Sequence, residues 1–246
     1  MLSKILTILG SFFKLLGHFS DWKKKKEVEK SFNKEQELEA LKQKDKANTA
    51  KIDAINDYTF SHLLPKKERD IYKRLFYIQS DLFKRRGNND SFTIKDFDFA
   101  SLECEQCDLG VALFKERLDK CKRNIDKIVI HCSDSDYPHH DNVETIRQWH
   151  LARNFYDIGY HFVGLKDGSL SLGRDIELIP AAQKGHNENS VAYLLTGKDY
   201  FSNEQLLLAY HCIQYCLERK KPLEIYGHTD INPHKTCPNF LVKHLI

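Results

Sequence analysis

A chain of 246 residues, 41% hydrophobic and 30% charged, has room for one large domain or two smaller ones and excludes a polytopic membrane protein. Its net charge of +3 is unevenly spread: residues 124–246 carry 12 Lys+Arg against 15 Asp+Glu, and the basic surplus begins in residues 1–26. That distribution argues against a nucleic-acid-binding surface over the fold, so no nucleic-acid partner is expected. Seven cysteines, an odd number without the spacing of a small disulfide scaffold, point to synthesis in a reduced compartment.

In residues 1–26, Lys4, Thr7, Ser11, Lys14 and His18 recur at steps of three and four, with Leu, Ile and Phe filling the rest. On a helix they form one polar stripe beside a wide apolar face. Trp22 and Lys23 to Lys26 suit a headgroup boundary, so membrane-interface contact is one expectation and packing on protein the other. Two lysines and two glycines interrupt the segment as a spanning helix. No small-x-small site follows it, so a cleavable signal peptide is not expected.

Residues 27–122 read as a helical accessory region. Over 27–56, sparse apolar positions among Lys, Glu and Gln suit a solvated helix or weak coiled coil. After Pro65, the residues Ile71, Leu75, Ile78 and Leu82 keep helical spacing until "RRGNND" breaks it. A third helix is predicted over about 101–122. It holds "CEQC" (Cys104, Cys107), which, with only Cys121 nearby and no paired histidine, is read as ordinary thiols.

From residue 123 the texture changes to an α/β pattern. "IDKIVIHCS" is a buried strand ending at His131, and "VETIRQWHLARNF" puts Val143, Ile146, Trp149 and Ala152 or Phe155 on one helical face. "YHFVGLKDGSLSLGR" reads as a hairpin, with Asp167 and Gly168 supplying positive φ angles. "SVAYLLTG" is a second buried strand, and Ser202 caps a helix that closes before Pro222. "LEIYGH" is a last strand, delivering His228. Alternating strands and helices imply a mixed sheet flanked by helices.

His131 and His228 therefore occupy equivalent places, each at the end of a core strand. A strand-end histidine is often only a satisfied polar residue. Two of them, beside Cys237 in a loop stiffened by Pro233 and Pro238, compose a His2Cys set suited to Zn²⁺ with a fourth position open.

Four ordered segments, "IVIHCS", "IRQWHLARNFYDIGYHFVGLKDGSLSLGR", "KGHNENSVAYLLTG" and "GHTDINPHKTCP", resemble the type-2 N-acetylmuramoyl-L-alanine amidase family, which includes phage lysozymes of amidase type and the peptidoglycan recognition proteins. The resemblance spans about residues 125–240. It implies the amidase type 2 fold over 123–246, zinc ligands at His131, His228 and Cys237, and catalytic assistance from Tyr160 and Lys235. The implied reaction cleaves the amide between N-acetylmuramic acid and L-alanine in peptidoglycan. His150 and His161 are read as structural, and Asp230 as holding the loop or a ligand's hydrogen bond. The chain departs from the family pattern at Asn154, where R-G-W is usual, at Ala182, where a histidine is frequent, and at Asn239, where C-P-G is usual.

The expected function is a zinc-dependent peptidoglycan hydrolase, made in the cytoplasm and acting on the cell wall after release at lysis or delivery. The alternatives are a non-catalytic peptidoglycan-binding module, or an interaction or inhibitor protein working through its N-terminal half.

Overall fold

The computed structural model describes residues 66–87 and 104–246. The expected interfacial helix over 1–26 and the solvated helix over 27–56 lie outside the described residues. No helix among the described residues is long and apolar enough to cross a membrane.

Two helices come first. Helix α1 (Lys66–Arg85) buries Leu75, Ile78 and Leu82, the stripe its spacing predicts, together with Tyr72 and Phe76. Helix α2 (Glu105–Lys120) buries Cys107, Phe114 and Leu118. Cys104 and Cys107 are joined as a disulfide, which corrects their reading as ordinary thiols. Their i, i+3 spacing at a helix start sets the Cα atoms 5.2 Å apart, within reach of a bridge.

A five-stranded sheet follows, built from β1 (Lys127–Cys132), β2 (Phe162–Gly164), β3 (Leu170–Leu172), β4 (Ser190–Leu195) and β5 (Glu224–Gly227). The order is β3-β2-β4-β1-β5, with β3 antiparallel to β2 and all other pairs parallel. β4 is buried along its whole length, as expected of a central parallel strand covered on both faces. The hairpin expected over 160–174 forms, but of its two turn residues only Gly168 has a positive φ, at 82°. Asp167 acts through its side chain instead, its Oδ1 accepting from the Ser169 N–H at 2.9 Å.

Alternate residues of the strands face different layers. Ile128, Ile130, Val191, Tyr193 and Leu195 share one core with α1, α2 and α4 (Asn203–Glu218). Val163 and Leu194 pack on the other face with Ile146 and Ile158. α1 and α2 are thus part of the same hydrophobic core as the sheet, and the expected boundary at 122/123 does not coincide with a break in packing. Burying each large apolar side chain contributes roughly 1.5–3 kcal/mol, so the five from α1 are a substantial share of that core.

Helix α3 (Val143–Leu151) starts at Asn142, whose side chain accepts from the Glu144 and Thr145 N–H groups. It ends sooner than its apolar pattern predicts, leaving Ala152 and Phe155 beyond it. Asn154, at φ 63°, closes it as a Schellman turn. Its N–H donates to Leu151 O at 2.9 Å, and the Phe155 N–H donates to His150 O at 3.0 Å.

His161, 1% exposed, is held by two backbone groups. Its Nδ1 accepts from the Ala192 N–H at 3.1 Å, so Nε2 carries the proton and donates to Leu178 O at 2.9 Å. Burial pushes its pKa down to about 4. The unfolded chain, with an ordinary imidazole, then binds the extra proton between about pH 6.5 and 4. Stability from this residue is accordingly complete above that window and is lost as pH falls through it, on the order of 3 kcal/mol in all. In chelator, the pH dependence of unfolding free energy for His161→Gln is expected to be shallower than wild type by up to about 1.4 kcal/mol per pH unit. Parallel curves would refute the assignment.

Candidate metal centre

β1 and β5 are direct neighbours, with Ile130 opposite Gly227, so the residues that follow meet at the same end of the sheet. His131 sits at the end of β1 with 1% exposure, and His228 opens the single turn α5 (His228–Ile231). Asp230 holds that turn: its Oδ2 accepts from the Gly227 N–H at 2.6 Å, the first of the two roles expected for it. The chain then turns at Asn232 to Lys235, where the Lys235 N–H donates to Asn232 O at 3.0 Å. It returns so that the Thr229 N–H donates to Cys237 O at 2.9 Å, and the Cys132 N–H donates to Cys237 Sγ at 3.0 Å.

These bonds draw one donor atom each from His131, His228 and Cys237 to within 4.8 Å of one another. His131 Nδ1 and Cys237 Sγ are 3.8 Å apart. Zn–N and Zn–S bonds of ~2.0 and ~2.3 Å at a tetrahedral angle would set such a pair about 3.5 Å apart, so the spacing fits with little adjustment.

The charge states fit a metal as well. Burial and the adjacent His228 push the His131 pKa down to about 3. Burial, then Lys235 and His186, lower that of His228. Both imidazoles are therefore neutral near pH 7, with lone pairs free to ligate. The Cys132 thiol beside it and burial push the Cys237 thiol up, so it stays protonated until a cation stabilises its thiolate. Two imidazoles and one thiolate, with no carboxylate among them, select zinc over calcium or magnesium.

The three donors lie in a groove of about 890 Å³. Tyr160 and Lys235 line it too. The Tyr160 ring centroid is 5.2 Å from that of His131, and burial raises the pKa of its phenol, keeping it protonated. Lys235 is exposed. The groove is basic: Arg153, Lys184 and Lys235 face a single carboxylate, Asp134, which pairs with Lys198 at 3.1 Å. His150, expected to be structural, has both roles. Its Nδ1 accepts from the Gly159 N–H at 2.7 Å, yet its ring is part of the groove wall. Gln183, which sequence reasoning passed over, lies 3.0 Å from His131 Nε2.

Asn239 closes the loop at φ 73°, a conformation that favours glycine. Its side chain adds ties that glycine lacks: Nδ2 donates to Lys198 O at 2.9 Å, and Oδ1 accepts from Arg85 of α1 at 3.1 Å. Asn239→Ala combines left-handed strain with loss of these bonds and is expected to cost about 2–4 kcal/mol in denaturant unfolding. Asn239→Gly keeps the backbone and should cost clearly less. Equal losses would contradict this account.

A family model described as N-acetylmuramoyl-L-alanine amidase matches residues 122–240. The endolysin of Escherichia phage T7 is 30% identical over 132 residues, covering 50% of this chain and 87% of that protein. The endolysin of Klebsiella phage KP32 is 28% identical over 130 residues, covering 50% and 85%. Among solved structures, the N-acetylmuramoyl-L-alanine amidase LysC from Clostridium intestinale URNW superimposes with a TM-score of 0.45 at 23% identity, covering 50% of this chain and 83% of that one.

Proposed function

The chain belongs to the type-2 N-acetylmuramoyl-L-alanine amidase family, and from that premise we propose that it is a zinc-dependent peptidoglycan hydrolase. The bond it would cleave is the amide between the lactyl group of N-acetylmuramic acid and L-alanine. The observation that carries this reading is the convergence of His131, His228 and Cys237 in the floor of a basic groove also lined by Tyr160 and Lys235.

His131, His228 and Cys237 would hold the ion. Bound there, zinc supplies Lewis acidity, polarising a carbonyl and letting water attack near neutral pH. Lys235 places a positive donor where the amide oxygen gains negative charge. Tyr160, protonated at neutral pH, can orient the attacking water through its hydroxyl oxygen and donate its own proton to the leaving nitrogen, regaining one from that water. Arg153 and Lys184 offer charge to the carboxylates of the stem peptide. The site of action would be the cell wall, reached by release at lysis or by delivery, and the endolysin relatives support the first route.

Purified sacculi test the proposal. Wild-type protein with zinc should clear them and release stem peptides free of muramic acid. Chelated protein should do neither. Stem peptides still joined to muramic acid after wild-type treatment would overturn the hydrolase reading and leave a binding module.

A further inference from the structure

Behind the metal-facing side of His131 lies a buried polar chain whose proton positions are fixed one after another. It starts at a backbone carbonyl, Asn187 O, which can only accept. Ser190 Oγ is 2.8 Å from it, so the single hydroxyl proton of Ser190 is committed there. Gln183 Nε2 approaches the same Oγ at 2.6 Å and must be the donor. The Gln183 amide is thereby oriented, and its Oε1 faces His131 Nε2 at 3.0 Å. An amide oxygen cannot donate, so His131 Nε2 carries the proton. Nδ1 is left as the lone pair, on the side of Cys237 Sγ and the rest of the donor set.

Gln183 and Ser190 are 1% and 0% exposed, so no water competes for these bonds. The loop is built to deliver Gln183 inward. Asn187 Oδ1 accepts from the N–H groups of Ala182 and Gln183, at 3.3 and 3.0 Å, closing residues 182–187 into a staple. Ser190 begins β4, whose Leu194 is paired with His131 on β1, so both ends of the relay are tied to the sheet.

We infer that Gln183 is a positioning residue for the metal centre, fixing the ring orientation and tautomer of His131 so that Nδ1 is presented to zinc. The inference rests on the proposed function. A histidine ligand whose second ring nitrogen is anchored loses neither orientation nor protonation freedom when metal arrives. Without the acceptor, a buried Nε2–H is left unpaired, and the ring gains by turning over and withdrawing Nδ1 from the site.

The test compares Gln183→Met, which keeps volume but removes the acceptor, with Gln183→Glu, which keeps an oxygen facing His131. Zinc affinity is read by competition with a chromophoric chelator near pH 8, and the His131 tautomer by ¹⁵N chemical shifts of the metal-free protein. Wild type should show the Nε2–H tautomer. Gln183→Met should bind zinc about 10- to 100-fold more weakly and lose the single tautomer. Gln183→Glu should stay within about threefold of wild type, the affinity loss tracking the missing acceptor. Hydrolysis by Gln183→Met should recover when zinc is raised in proportion, which loss of a substrate contact would not allow. Melting curves in chelator verify that both variants fold. Wild-type affinity in a folded Gln183→Met, or a Glu variant no better than Met, overturns this inference alone. A wild type that binds no zinc overturns the proposed function first.

Discussion

Replacing Cys237 by serine should abolish zinc retention and reduce peptidoglycan hydrolysis to the level of chelated wild type. The expectation follows from what the sulfur does. Cys237 is the only one of the three donors that can bring negative charge to the site, since both imidazoles are held neutral by burial and by one another or by Lys235. A serine hydroxyl in its place neither ionises near neutral pH nor offers the soft donor that zinc favours. Structural damage should be small. The backbone carbonyl of residue 237 still accepts from the Thr229 N–H, and a hydroxyl oxygen can still face the Cys132 N–H. The measurements are metal content after desalting, and muropeptide release at matched protein concentration. Full hydrolysis by a metal-free Cys237→Ser protein would show that the groove acts without the ion. Loss of hydrolysis with zinc fully retained would assign Cys237 some other role. The proton released as the thiol ionises provides a second readout, because adding zinc to wild type should acidify a weakly buffered solution and adding it to the variant should not.

The elements that position the candidate metal centre were legible in the sequence for a simple reason. Short β-branched runs flanked by polar residues leave little choice of structure, so "KIVIHC" and "EIYG" declared their strands and put His131 and His228 at equivalent ends. Ser202 announced the start of α4, and its Oγ accepts from the Gln205 N–H. What periodicity cannot say is which surface an apolar stripe covers. Ile78 and Leu82 predicted a helix, but not that its buried face would complete the core of the sheet domain or that Arg85 would reach Asn239 in the loop after Cys237. Gln183 carried no signal, because a glutamine in a polar loop reads as solvated until Asn187 folds the loop and turns it inward. The two departures at Asn154 and Asn239 proved to be one physical event. Both put asparagine where the family pattern has glycine, and both sit at positive φ, which asparagine tolerates better than other residues with a side chain. Each closes its turn in that conformation, and the side chain at 239 ties the loop carrying Cys237 to α1.

Lys235→Ala is expected to leave zinc bound and lower kcat by roughly 10²-fold on a defined muropeptide, with a much smaller change in KM. Lys235 lies two residues before Cys237, on the turn closed by its own N–H to Asn232 O, so truncating its side chain should not move the ligands. Its ammonium is exposed in the free protein, where water screens it. A bound stem peptide would cover it, and the same charge then acts in a drier groove on an oxygen that becomes anionic only during reaction. That difference between ground state and transition state is why the loss belongs in kcat. If Lys235 instead served mainly to attract stem-peptide carboxylates, KM would rise and kcat would hold, and added salt would erase the difference between the proteins. Lys235→Arg separates charge from placement, because the guanidinium keeps the charge but on a longer, planar head. Partial recovery is expected from it. Tyr160→Phe should also retain zinc but lose rate through the proton it no longer moves, so the two effects should stay distinct in their pH profiles.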